Sequence, residues 1–202
     1  MPDVLVTREA PDFTAAAVTP KGEILNEFHF HEATKGKYVV VFFYPLDFTF
    51  VCPSELIALD NRIEEFLNRG VKVIAVSIDS QFTHSAWRNT PVEKGGIGPV
   101  NYTMVADINH RICQAYGVEH PVAGVALRAA FVIDQQGIVK AQIVNDLPIG
   151  RNIDEILRLV DALQYHEEYG EVCPAGWNKG KPGMKATTSG VAAYLDENAE
   201  KL

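Results

Sequence analysis

From Tyr38 to Tyr44 every side chain is β-branched or aromatic. A run of that kind suits a strand covered on both faces, the environment of an inner strand in an α/β sheet. Its apolar stretch, ending at Leu46, is too short to span a bilayer. A second such run covers Val71 to Ile78. Between them Leu56, Leu59, Ile63, Phe66 and Leu67 recur at helical spacing, and Gly70 ends the helix. Ser80 caps a further helix containing Ala86 and Trp87, limited by Pro91 and Gly95-Gly96. A short strand at Tyr102 to Val105 and a short helix at Asn109 to Tyr116 follow, the latter stopped by Gly117. Ala129 to Ile133 and Ile138 to Val144 form a hairpin across Asp134-Gln135-Gln136-Gly137. Asn152 caps a last strong helix bearing Ile153, Ile156, Leu157, Val160 and Leu163. At the start, Phe13 to Val18 and Ile24 to Phe28 flank the turn Thr19-Pro20-Lys21-Gly22-Glu23. The order predicts an α/β layer structure with a mixed central sheet flanked by helices, an N-terminal β-hairpin and a C-terminal extension.

The 202 residues suit one domain, 1–168, followed by an arm, 169–202. The arm is rich in Gly, Lys and Thr, and is expected to leave the domain and lie on a partner subunit. With 18 basic against 26 acidic side chains the formal charge is −8. That argues against nucleic acid and anionic membranes as partners, since both demand concentrated Lys and Arg. Asp3, Arg8, Glu9 and Asp12 interrupt the first residues, which therefore do not resemble a secretory signal. Three cysteines are too few and too odd for a disulfide framework, so the cytoplasm is the expected location.

The chemistry concentrates where the first long strand ends, in Tyr44-Pro45-Leu46-Asp47-Phe48-Thr49-Phe50-Val51-Cys52-Pro53-Ser54-Glu55. Cys52 stands where a helix begins. Unpaired N–H groups and the positive end of the helix dipole favour a thiolate there, so Cys52 is the expected nucleophile. Pro53 is tolerated in a first helical turn, and Pro45 stiffens the strand exit and shields the sulfur. Thr49, three residues before Cys52, either caps the helix or returns its hydroxyl to the sulfur. Glu55 occupies the position where a Cys-x-x-Cys exchange motif would hold its second cysteine. A resolving thiol must come from elsewhere, and Cys173 in Gly170-Glu171-Val172-Cys173-Pro174-Ala175-Gly176-Trp177 is the candidate. An exposed, mobile arm suits a thiol that condenses with a sulfenic acid. Cys113 is read as a half-buried hydrophobe without a role. His29 and His31 alternate on one strand face with no third ligand nearby, so no metal site is expected. Gly95-Gly96-Ile97-Gly98 lacks the Lys-Ser/Thr of a phosphate loop. Arg128 on these grounds alone is a surface arginine.

Phe48-Thr49-Phe50-Val51-Cys52-Pro53 and Glu171-Val172-Cys173-Pro174-Ala175-Gly176-Trp177, in that order, resemble the typical two-cysteine peroxiredoxins, including the bacterial alkyl hydroperoxide reductase C type. The resemblance runs from about Pro11 through Lys179 and includes Asn145-Asp146-Leu147-Pro148-Ile149-Gly150-Arg151. It implies a thioredoxin-like fold and a thiol-dependent peroxidase acting on hydrogen peroxide and organic hydroperoxides. Cys52 is then the peroxidatic cysteine and Cys173 the resolving one. Pro45, Thr49 and Arg128 complete the peroxide pocket, with Glu55 and Arg151 holding the charge network and Trp87 lying near the active-site helix. The resemblance further implies a homodimer with Cys52–Cys173 disulfides between subunits, assembly into a decamer, and recycling by thioredoxin or a dedicated disulfide reductase. No cofactor or metal is needed. Gly95, Gly96, Ile97 and Gly98 resemble a regulatory loop, and Tyr194-Leu195 the Tyr-Phe of a C-terminal helix. Both slow the local unfolding that brings the cysteines together, and Leu195 in place of phenylalanine gives an expectation of intermediate sensitivity to overoxidation. A chaperone or peroxide-signalling protein and a dithiol-disulfide oxidoreductase are the competing readings, the last disfavoured by Glu55.

Overall fold

The structure is a computed structural model that describes residues 4–201. The outer ends of the two expected domains, Asp3 among them, lie outside the described residues. Its elements are β1 (Thr14–Val18), β2 (Ile24–His29), α1 (Phe30–Thr34), β3 (Tyr38–Phe43), α2 (Cys52–Asp60), α3 (Ile63–Asn68), β4 (Val71–Ser77), α4 (Gln81–Asn89), β5 (Thr103–Ala106), α5 (Arg111–Ala115), β6 (Arg128–Ile133), β7 (Val139–Asn145), α6 (Ile153–Tyr169) and α7 (Thr188–Asn198). By compactness the chain divides into Met1–Ile153 and Asp154–Leu202.

The first unit is built on one mixed sheet in the order β2-β1-β5-β4-β3-β6-β7. The β3, β4 and β5 strands run parallel, while β6 pairs antiparallel to β3 and β1 antiparallel to β5. The burial explains the composition. Val39 to Phe43 of β3 are all buried, as the unbroken apolar run requires, whereas outer β7 alternates partly with solvent. Each fully buried Val or Phe there contributes about 1.5–3 kcal/mol. Helix α4 starts as expected, with the Ser80 side chain accepting the Thr83 N–H at 3.1 Å. It buries His84, Trp87 and Arg88 on one face. The fold is the thioredoxin-like α/β class, and the parallel strands β3 and β4 deliver their C-terminal ends to one edge, where such sheets place chemistry.

Two local expectations change. The single helix expected from Leu56 to Leu67 is two, because Arg62 (φ −110°, ψ 4°) leaves the helical region between α2 and α3. The Asp60 carboxylate accepts the Asn101 N–H at 2.6 Å, which fixes that break. His29 and His31 do not share a strand face: His29 ends β2 and bonds Thr14, whereas His31 lies in α1 and bonds Ala10.

In the second unit the segment after α6 is held to that helix through Trp177. Trp177 is buried, its ring 4.9 Å from that of Tyr165 and its indole N–H donating to the Lys181 carbonyl at 3.0 Å. Arg158 of α6 donates to the Trp177 carbonyl, and Val172 bridges to Met184. The aromatic area of Trp177 and Tyr165 is what composition alone did not weigh. Among the described residues no helix is long and apolar enough to cross a membrane.

Candidate active site

Cys52 is the first residue of α2, with Pro53 next to it, as the sequence requires of a helix start. The cysteine is fully buried. Strand β6 begins at Arg128, whose Nη1 donates to the Cys52 sulfur at 3.4 Å and to Glu55 Oε2 at 2.8 Å. Its Nε donates to the Leu147 carbonyl at 2.5 Å, fixing the guanidinium plane. Arg128 is therefore not a surface residue.

Glu55 lies one turn past Cys52 and is 3% exposed. Arg151 meets both of its oxygens: backbone N–H and Nε donate to Oε1 at 2.8 and 2.9 Å, and Nη2 to Oε2 at 2.9 Å. Arg151 also donates from Nη1 to the Ala129 carbonyl, and its guanidinium lies 3.4 Å from the centre of the Phe42 ring. Burial opposes ionisation of Glu55, yet the hydrogen bonds and charge of Arg151, with the charge of Arg128, hold its carboxyl below the usual range. Two buried cations thus share one anion. The excess positive charge faces the Cys52 sulfur.

The loop from Tyr44 to Val51 is anchored by a buried network that sequence reasoning missed. Tyr44 Oη donates to Asp47 Oδ1 at 2.7 Å, and His84 Nδ1 lies 2.8 Å from Asp47 Oδ2. His84 Nε2 faces the Val105 carbonyl at 3.1 Å, so both ring nitrogens meet acceptors. The Asp47 N–H donates to Asp79, whose carboxyl is raised by burial and by the charge of Asp47. The available signal was His84 on the same helical face as Trp87 and Arg88. Phe48 takes a left-handed conformation (φ 54°), uncommon for an aromatic residue, and its half-exposed ring lies 5.7 Å from Trp87.

Thr49 is not the helix cap. Val51 holds the cap position without a side-chain bond, and the Thr49 hydroxyl donates to the Leu46 carbonyl at 2.8 Å. Its proton is engaged within the loop. Pro45 is buried at the strand exit. Trp87 donates from Nε1 to the Gly95 carbonyl at 2.8 Å, which ties the Gly95–Gly98 loop to α4. A side chain at Gly96 would stand 1.8 Å from the Thr90 carbonyl oxygen, so the glycine there is a packing requirement.

Cys173 belongs to the second unit. It is half-buried rather than fully exposed, with Sγ 3.5 Å from the Ala162 carbonyl. Burial pushes its thiol up, against the opposing charge of Arg158. Tyr194 and Leu195 lie on α7, where Tyr194 and Asn198 border a cavity of about 440 Å³ with Pro174 to Trp177. All three cysteines are free thiols.

The AhpC/TSA family profile matches residues 6–142, and a profile described as the C-terminal domain of 1-Cys peroxiredoxin matches residues 162–197. Alkyl hydroperoxide reductase C of Helicobacter pylori is 55% identical over 98% of this chain and all of its own length. Peroxiredoxin-2 of Mus musculus is 48% identical over 96% of both chains. The reduced 2-Cys peroxiredoxin of Plasmodium vivax superposes with a TM-score of 0.92 at 49% identity, covering 96% of this chain and 99% of that one. With likeness of this extent, and profile matches that span both cysteine segments, the chain belongs to the AhpC/TSA family and is a thiol-dependent peroxidase of the two-cysteine peroxiredoxin class.

Proposed function

We propose that Cys52 is the peroxidatic cysteine and Cys173 the resolving one. The observation that carries this is the Arg128 Nη1 contact to the Cys52 sulfur, made at a helix start and locked by Glu55 and Arg151. The thiolate of Cys52 attacks one oxygen of hydrogen peroxide or an organic hydroperoxide. The O–O bond breaks, the leaving oxygen departs as water or alcohol after taking a proton, and Cys52 becomes a sulfenic acid. Arg128 and the Cys52 backbone N–H supply fixed positive charge as the O–O bond lengthens. Because the Thr49 proton is engaged by Leu46, Thr49 oxygen serves as acceptor for the peroxide O–H. Pro45 excludes water.

Cys173 then attacks the sulfenic sulfur, forming a disulfide and releasing water. Cys52 is fully buried, so the first turn of α2 must open before any thiol reaches it. Two electrons from a thioredoxin or a dedicated disulfide reductase restore both thiols. We assign the disulfide to two subunits of a homodimer, and the dimers to a decamer. Supporting this, β7 is the outer strand of the sheet, bridged by the N-terminal segment only at its start, with Val144 exposed, and Phe50 and Phe82 present 96% and 66% of their surface to solvent. Gly95 to Gly98, with Tyr194 and Leu195, govern the opening step. An odd and sparse set of three cysteines supports a reducing cytoplasmic location.

The test is peroxide consumption coupled to a thioredoxin system. Cys52→Ser should abolish turnover, and Cys173→Ser should consume about one peroxide per subunit and stall. On a non-reducing gel the oxidised wild type should run as a covalent dimer and neither variant should. Full turnover by Cys52→Ser would remove the assignment.

A further inference from the structure

The short helix α5 and the strand-like turn after it bring together three metal-type donors that play no part in peroxide chemistry. Asp107 fixes the helix start: its carboxylate accepts the Ile112 and Cys113 N–H groups at 3.0 and 2.8 Å. His110, just ahead of α5, takes a left-handed conformation (φ 61°). His110 and Cys113 stand three residues apart, one helical turn. At the other end the Val118 N–H returns to the Cys113 carbonyl at 2.9 Å, closing the turn at Gly117. That turn, with the bridge from Glu119 to Ala126, sets Glu119 back beside His110. His110 Nδ1 lies 2.7 Å from Glu119 Oε1, and Gln114 holds the other oxygen at 3.0 Å.

We infer that His110 Nδ1, Cys113 Sγ and a carboxylate oxygen of Glu119 form a binding site for one divalent transition-metal ion of the zinc class. The three ligand atoms all lie within 4.8 Å of one another. Around tetrahedral zinc the ligand atoms stand about 3.3–3.8 Å apart, so the widest pair closes by roughly an ångström. One nitrogen, one sulfur and one oxygen suit zinc and its softer neighbours; magnesium and calcium favour all-oxygen sites. The His110 and Glu119 side chains are each 28% exposed while Cys113 is buried, so a fourth, solvent-side position is open to water. Gln114 and Asp107 already orient the carboxylate and the cysteine backbone, the outer-shell role such sites need.

Binding replaces the His110–Glu119 hydrogen bond with two metal bonds, with the imidazole proton on Nε2. The Cys113 S–H, which donates to the His110 carbonyl at 3.3 Å in the metal-free protein, gives up that hydrogen bond and loses its proton to solvent as the sulfur–metal bond forms. In the metal-free protein, burial and then the charges of Asp107 and Glu119 keep that thiol protonated. The same two carboxylates complement a dication once it is present.

Cobalt(II) is the probe, in the full chain carrying Cys52→Ser and Cys173→Ser so that Cys113 is the one remaining thiol. One cobalt per chain should give a near-ultraviolet sulfur-to-metal band and visible bands of a four-coordinate ion, and zinc should displace it. Adding Cys113→Ser or His110→Ala should remove the sulfur band. Adding Glu119→Gln, which keeps shape and fold, should weaken binding at least ten-fold. Circular dichroism verifies folding of each variant. Absence of a sulfur–cobalt band in the parent, or a band whose strength is unchanged by Glu119→Gln and His110→Ala, overturns the site.

Discussion

Replacing Glu55 with Gln tests the charge arrangement at the reactive sulfur. The shape is kept and only the negative charge is lost. Glu55 accepts three contacts from Arg151 and one from Arg128, and these arginine side chains are 0% and 5% exposed. In the variant one guanidinium N–H must face an amide N–H, and two buried cations lack a counter-charge. Breaking a buried pair in this way costs about 3–5 kcal/mol. Chemical denaturation of the reduced protein at pH 7 should show that loss. The pH dependence gives an independent sign. The Glu55 carboxyl is held below its ordinary value of 4.5, so its stabilisation is fully present above that pH and disappears as pH falls beneath it. The wild-type and variant curves should therefore converge toward acid. Stopped-flow oxidation of Cys52 should slow at least about ten-fold, since Arg128 loses the partner that orients it. A stability within about 1 kcal/mol of wild type at pH 7, with unchanged peroxide reactivity, would refute the reasoning.

Arg128→Lys keeps one charge but cannot donate to Cys52, Glu55 and Leu147 together; peroxide reduction should fall by about a hundred-fold, and a fall under about three-fold would remove Arg128 from the chemistry. Gly96→Ala should lower the melting temperature of the reduced protein and alter Trp87 fluorescence, because its Cβ would meet the Thr90 carbonyl at 1.8 Å and the loop it displaces is bonded to the Trp87 indole. Mass spectrometry across a peroxide series during turnover should find sulfinic Cys52 only at intermediate to high peroxide; no sulfinic form at the highest dose would reject the role given to the Gly95–Gly98 loop and Tyr194-Leu195.

Much of the first unit was legible in one dimension. Continuous apolar runs identified β3 and β4 because inner parallel strands are buried on both faces. Ser80 and the helical face behind it identified α4. Cys52 was legible because strand, proline and helix start are consecutive. Thr49 was misjudged as a possible cap because spacing does not say where a loop bends; in the fold its hydroxyl turns back to Leu46. That Trp177 of the arm meets Tyr165 was not legible, because the segment's polar composition hides one tryptophan.

The order of residues by itself determined the strands of the sheet and helices α4, α5 and α6, and that a lone thiol opens a helix. Periodicity and turn chemistry are local, so the chain carries them openly. Tertiary structure alone decided which distant charges meet. Arg128 and Arg151 are 73 and 96 residues from Glu55, His84 is 37 from Asp47, and only the sheet order and the packing of α4 join them. His110, Cys113 and Glu119 lie close in sequence, yet their convergence depends on a left-handed residue and a glycine turn that no pattern of hydrophobicity records.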